Sequence, residues 1–119
     1  MALTWIEYRG HKILYNDFRG LTEAQMTQQL DDELALLKAQ PKKVRMLVDV
    51  TNSATGPGFM ARAKALASQI DAHVERQAIL GIDGIKAILL RAFNAMGSGT
   101  LAPFANEEAA KEYLISSTK

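Results

Sequence analysis

The segment at 44–50, Val-Arg-Met-Leu-Val-Asp-Val, constrains this chain most, because its centre, Met46-Leu47-Val48, has no polar alternate. A strand with one wet face alternates, so one that does not is expected at the middle of a sheet covered by helices on both sides. The preceding segment agrees. In Leu21-Thr22-Glu23-Ala24-Gln25-Met26, Thr22 and Gln25 are spaced to satisfy each other's amides as a capping box, with Leu21 and Met26 as the staple. Met26, Leu30, Leu34 and Leu37 then recur at helical spacing until Pro41, leaving Gln28, Asp31 and Lys38 on a solvated face.

Residues 4–8 and 12–18 are rich in aromatic and β-branched side chains, and Arg9-Gly10-His11 between them reads as the turn of a hairpin. Thr55-Gly56-Pro57 offers a helix start, followed by Phe59, Ala63, Leu66 and Ile70; Ala61, Ala63, Ala65 and Ala67 let that helix lie close to the sheet. A second apolar strand is expected at 77–82, and Asp83 caps a helix carrying Ile85, Ile88, Leu89, Ala92, Phe93 and Met96 up to Gly97. Residues 100–104 form the last strand, placed at an edge by Pro103, and Asn106 with Glu107 and Glu108 opens the last helix. The order is β-β-α-β-α-β-α-β-α, an α/β domain spanning 1–119 with a mixed, mostly parallel sheet flanked by helices and the first strand antiparallel at one side.

Composition excludes several functions. The 119 residues include no cysteine, which removes disulfides and Cys-ligated zinc. With 14 basic against 13 acidic residues, the net charge of +1 supplies no field for nucleic acid. No apolar run approaches the roughly 18 residues of a membrane span, and the N-terminus lacks the order of a signal peptide, so a cytoplasmic location is expected.

The loop Asp49-Val50-Thr51-Asn52-Ser53-Ala54-Thr55-Gly56-Pro57-Gly58 leaves the carboxyl end of the central strand and enters a helix N-terminus, where open α/β sheets bind ligands and free amides favour anions. Its ligand- or partner-binding candidates are Asp49, Thr51, Asn52, Ser53, Thr55, Gly56, Gly58 and Phe59; capping and turn formation explain the same residues without a ligand. Asp17, Asp49 and Asp83 fall at strand ends, and Asp49 with Asp83 would make the carboxylate pair of a small hydrolase. Helix capping for Asp83 and loop anchoring for Asp49 are the stronger expectation. His11 and His73 lack partners for a metal site, no G-x-S-x-G occurs, and neither a P-loop nor a dinucleotide fingerprint is present, so no cofactor, metal or catalytic residue is assigned. Arg62, Lys64, Arg76, Lys86 and Arg91 read as a solvated face. Trp5 on the first strand is either packed or a seed for a homodimer.

Tyr8-Arg9-Gly10-His11-Lys12-Ile13-Leu14-Tyr15, Asp17-Phe18-Arg19-Gly20-Leu21-Thr22, Val48-Asp49-Val50-Thr51, Ala92-Phe93-Asn94 and Phe104-Ala105-Asn106-Glu107-Glu108-Ala109 together resemble the SpoIIAA-like family of STAS-type domains, the sulfate-transporter and anti-sigma-factor-antagonist fold also grouped with CRAL-TRIO lipid-binding proteins. The resemblance implies a non-enzymatic bacterial regulatory or binding module that recognises a protein partner or small anionic ligand at the loop. In anti-sigma-factor antagonists a kinase-modified serine starts the following helix. Pro57 and Gly58 stand there in this chain, leaving Ser53 and Thr55, with Thr51, as shifted phosphorylation candidates. The CRAL-TRIO grouping implies the alternative of a carrier holding a lipid or other hydrophobic molecule against Phe59, Met60, Ile85, Leu89, Phe93 and Met96, whose periodicity is otherwise accounted for by core packing.

Overall fold

The hairpin of β1 (Leu3–Tyr8) and β2 (His11–Asp17) turns through Arg9 and Gly10, both at positive φ (50° and 82°), the pairing that matches the natural twist of two strands. The computed structural model describes residues 3–53, 56–82, 84–96 and 101–116. Helix α1 (Glu23–Lys38) starts at the expected capping box: the Gln25 amide donates to Thr22 Oγ1 at 3.2 Å and the Thr22 amide to Gln25 Oε1 at 2.9 Å. Then follow β3 (Val44–Asp49), α2 (Pro57–Asp71), β4 (Val74–Leu80), α3 (Gly84–Met96), β5 (Leu101–Phe104) and α4 (Glu107–Ile115).

The strands lie in the order β1-β2-β3-β4-β5, with β1 antiparallel to β2 and every later pair parallel. Because each crossover advances by one strand with the same hand, all three crossover helices return over one face. There Leu14, Met46, Val48 and Ile79 of the sheet meet Leu30 of α1, Phe59 of α2 and Leu90 of α3. On the other face Ile13, Leu47, Ala78 and Leu80 are covered by Ala110 and Leu114 of α4. Both faces of β3 are buried, as its unbroken apolar run requires.

The extent of β4 and the cap of α2 differ from expectation. Strand β4 begins at Val74 rather than Gln77 and ends at Leu80, because Val74 pairs with Val44 and Arg76 with Arg45 across a register shift, extending the ladder through polar residues that carry no apolar signal. The N-cap of α2 is Gly56, which has no capping side chain; Thr55, expected to cap, lies outside the described residues, as do Asp83, Gly97 and Thr100.

Candidate functional site

The parallel register of β2 and β3 sets Asp17 beside Asp49 at the carboxyl edge of the sheet. Arg19 forks onto Asp17, with Nε 2.8 Å from Oδ1 and Nη2 2.9 Å from Oδ2, and its Nε lies 3.8 Å from Asp49 Oδ2. Those hydrogen bonds hold the Asp17 carboxyl below the ordinary carboxylate range and push the guanidinium up. Asp49 Oδ1 accepts from the Thr51 amide (3.0 Å) and hydroxyl (2.6 Å), and Oδ2 from the Tyr15 hydroxyl (3.3 Å). Burial, then the charges of Asp17 and Asp49, push the Tyr15 phenol up to about 12. Every carboxylate here is engaged by a donor, so the cluster pins the loop. Among the described residues no group of three His, Cys, Asp or Glu side chains could hold a metal ion.

Beyond Asp49 the loop is held by its own backbone. Asn52 sits at φ 55°, and the Ser53 amide and hydroxyl both donate to the Val50 carbonyl, at 3.1 and 2.7 Å. At the start of α2 the Phe59 amide donates to Glu23 Oε2 at 2.8 Å, so the first turn of α1 caps α2 across space. A Cβ on Gly56 or Gly58 would stand 2.7 or 2.9 Å from that same oxygen, so a side chain at either position would displace the Glu23 carboxylate. The anion-favouring end of α2 therefore already holds a carboxylate from its own chain.

Behind this loop lies a cavity of about 100 Å³, running beneath α2 from Phe59 to Asp71 and bounded by β3, β4, α3 and Glu33 of α1. Its wall is almost wholly apolar. Of the four alanines expected to seat α2 closely, Ala63 and Ala67 line the cavity with Met46 and Ile79, and Ala61 and Ala65 are exposed. Phe59 and Met60, read from sequence as core or, in the carrier alternative, as pocket wall, line it as well.

Four polar residues reach the cavity, Glu33, Asp71, Gln77 and Lys86, and Glu33 is the most deeply buried, only 3% exposed. Asn16 Nδ2 donates to Glu33 Oε1, and Gln29 Nε2 donates to Asn16 Oδ1 and, at 3.0 Å, to the Asp17 carbonyl. Among the described residues nothing hydrogen-bonds the other Glu33 oxygen. Burial pushes this carboxyl up to about 8, against the opposing pull of the Asn16 amide, so it is mostly protonated at neutral pH.

A model of the SpoIIAA-like family matches residues 4–115. The chain belongs to the SpoIIAA-like family. It is also similar to the crystal structure of an uncharacterised protein of the DUF3478 family with a SpoIIAA-like fold from Shewanella loihica PV-4, at 21% identity and a TM-score of 0.69, over 95% of this chain and 92% of that one. No curated protein matches it. A SpoIIAA-like, STAS-type domain has the build of a regulatory or binding module, and among the described residues no helix is long and apolar enough to cross a membrane.

Of the residues singled out from sequence, Asp49, Thr51 and Ser53 meet at the start of the SpoIIAA-like loop, while Gly56, Gly58 and Phe59 gather around Glu23. Asp83, the proposed partner of Asp49, lies outside the described residues, as do the side chains of Ile85, Leu89, Phe93 and Met96. His11 begins β2, and the His73 carbonyl receives the Val44 amide in the turn after α2. Three of the five basic residues serve the fold: Arg62 binds Asp31, Arg76 the Tyr113 carbonyl and Lys86 the Val50 carbonyl. Trp5 is 37% exposed on the edge strand, with the Lys12 ammonium 5.4 Å from its ring centre.

Sequence reasoning missed Asn16, Gln29 and Glu33. The signal was present: Gln29 and Glu33 interrupt the very stripe that Met26, Leu30, Leu34 and Leu37 define, and Asn16 lies between Leu14 and Phe18 on the inward face of β2. Polar residues at core positions mark either a structural network or a site.

Proposed function

We propose that this SpoIIAA-like domain is a non-catalytic binding module that takes a small, mainly apolar molecule into the cavity beneath α2. The observation that carries the reading is the cavity itself, a mainly apolar space walled by Met46, Val48, Phe59, Ala67, Ile79 and Leu90. An apolar cavity of roughly 150 Å³ is known to hold benzene, so this one suits a molecule of a few carbons or a small ring.

The loop is then a place for a protein partner to read occupancy, since Val50 and Phe59, at its two ends, both line the cavity. Thr51, Asn52 and Gly58 are exposed there, and this partner surface is the second part of the proposal. Phosphorylation of Ser53 would break the bond to the Val50 carbonyl and loosen the same loop.

Native mass spectrometry of freshly purified protein, repeated under denaturing conditions, tests the first part. A small mass released on denaturation, and absent from Ala67→Leu, is the expected result. One unliganded mass, together with no NMR response to saturating cyclopentane, overturns the reading. For the loop, the double substitution Thr51→Ala and Ser53→Ala should weaken a captured partner without changing cyclopentane affinity.

A further inference from the structure

An apolar cavity needs no carboxyl group, and leaving one in its wall is costly unless something repays it. Glu33 is the buried carboxyl of this wall, and only one of its oxygens is used by the described residues: Asn16 binds Oε1. Asn16 and Gln29 fix the side chain from behind, as residues that orient a binding group do. With Oε1 accepting from Asn16, the proton of the neutral carboxyl belongs on Oε2, free to donate.

We infer that Glu33 is the recognition residue of the cavity and that it selects a small, uncharged molecule presenting one oxygen acceptor, a carbonyl or ether oxygen, to its carboxyl hydrogen. This rests on the cavity-binding reading above and adds the chemistry of the ligand. A ligand carboxylate would meet the Glu33 carboxyl in a mainly apolar wall, and above the titration of Glu33 two negative charges would share that space. The other charged groups on the cavity are already engaged. Asp71 at the end of α2 accepts from Gln77 of β4 at 3.1 Å, and Lys86 of α3 donates to the Val50 carbonyl at 2.7 Å. On the sheet side, Asn16 of β2 hydrogen-bonds Glu33 and Met46 and Val48 of β3 line the same cavity, and none of the three titrates.

The test compares isosteric probes, cyclopentane, cyclopentanone and cyclopentylammonium, by NMR titration of the wild-type protein, Glu33→Gln and Glu33→Leu at pH 6 and pH 9. The ketone is expected to bind the wild type about tenfold more weakly at pH 9, where Glu33 is roughly nine-tenths ionised, and cyclopentane equally at both. Glu33→Gln keeps an N–H donor and should bind the ketone with no pH dependence. Glu33→Leu should weaken the ketone by roughly tenfold and leave cyclopentane bound, the signature of one lost buried hydrogen bond. Ketone binding that ignores both pH and Glu33, while cyclopentane binds, overturns the role of Glu33 and leaves the cavity reading standing. Cyclopentylammonium binding that strengthens at pH 9 also overturns it, in favour of a cationic ligand. If no probe binds, the cavity reading falls and this inference with it.

Discussion

Glu33 and Asp17 are two carboxyls within one small domain whose surroundings drive them in opposite directions. Arg19 keeps Asp17 ionised, so its contribution to stability is present above its ordinary value of 3.8 and is lost as pH falls below it. Glu33 is the reverse case. Its folded-state value, about 8, lies above the ordinary 4.5, so the folded form holds the proton more tightly than the unfolded chain. That stability is complete below 4.5 and is lost as pH rises towards 8, with a slope of up to about 1.4 kcal/mol per pH unit. Urea unfolding between pH 5 and 8 should show the wild-type midpoint falling with pH and Glu33→Gln removing most of that slope; an unchanged slope would place the titration elsewhere. Asp49 acts through its hydrogen bonds. Asp49→Ala strips acceptors from the Thr51 amide, the Thr51 hydroxyl and the Tyr15 hydroxyl, and should cost about 2 kcal/mol in the same assay.

At the scale of elements, the first turn of α1 and the first turn of α2 act as one unit. The local capping box of α1 was legible, because both partners lie within four residues. The cap of α2 was not: sequence points to Thr55, whereas the Phe59 amide is met by Glu23, 36 positions away. Glu23→Ala should therefore destabilise the protein by about 1 kcal/mol although Glu23 is no part of α2, and hydrogen exchange should speed up at the Phe59 amide. A second close approach fixes the neighbouring loops. Gly81, at φ 87°, would carry a Cβ only 2.5 Å from the Thr51 nitrogen. Gly81→Ala combines backbone strain with that clash, so a loss of about 2 kcal/mol or more is expected by thermal or urea unfolding.

For the whole molecule, the one-strand steps of the sheet put three helices on one face and leave α4 to cover the other, tied at its far side by Tyr8 and Arg9 to Glu112 at 2.7 and 2.6 Å. The cavity belongs to this scale, since it is the gap left where α2, α3 and the sheet fail to meet. Ala67→Leu should fill part of it, raising stability by about 1 kcal/mol while abolishing cyclopentane binding; retained binding would place the probe elsewhere. What the sequence determined by itself was local or periodic: the hairpin, the capping box, the covered central strand, the edge position of Pro103 and the α/β order. Each rests on neighbours within a few residues, or on a repeat that marks an inward face. Only the tertiary structure decided that Glu23 caps α2, that Ala63 and Ala67 border empty space, and that Glu33 stands in its wall. Periodicity tells which side chains point inward; whether they meet depends on helix-to-sheet distances set by the chain as a whole.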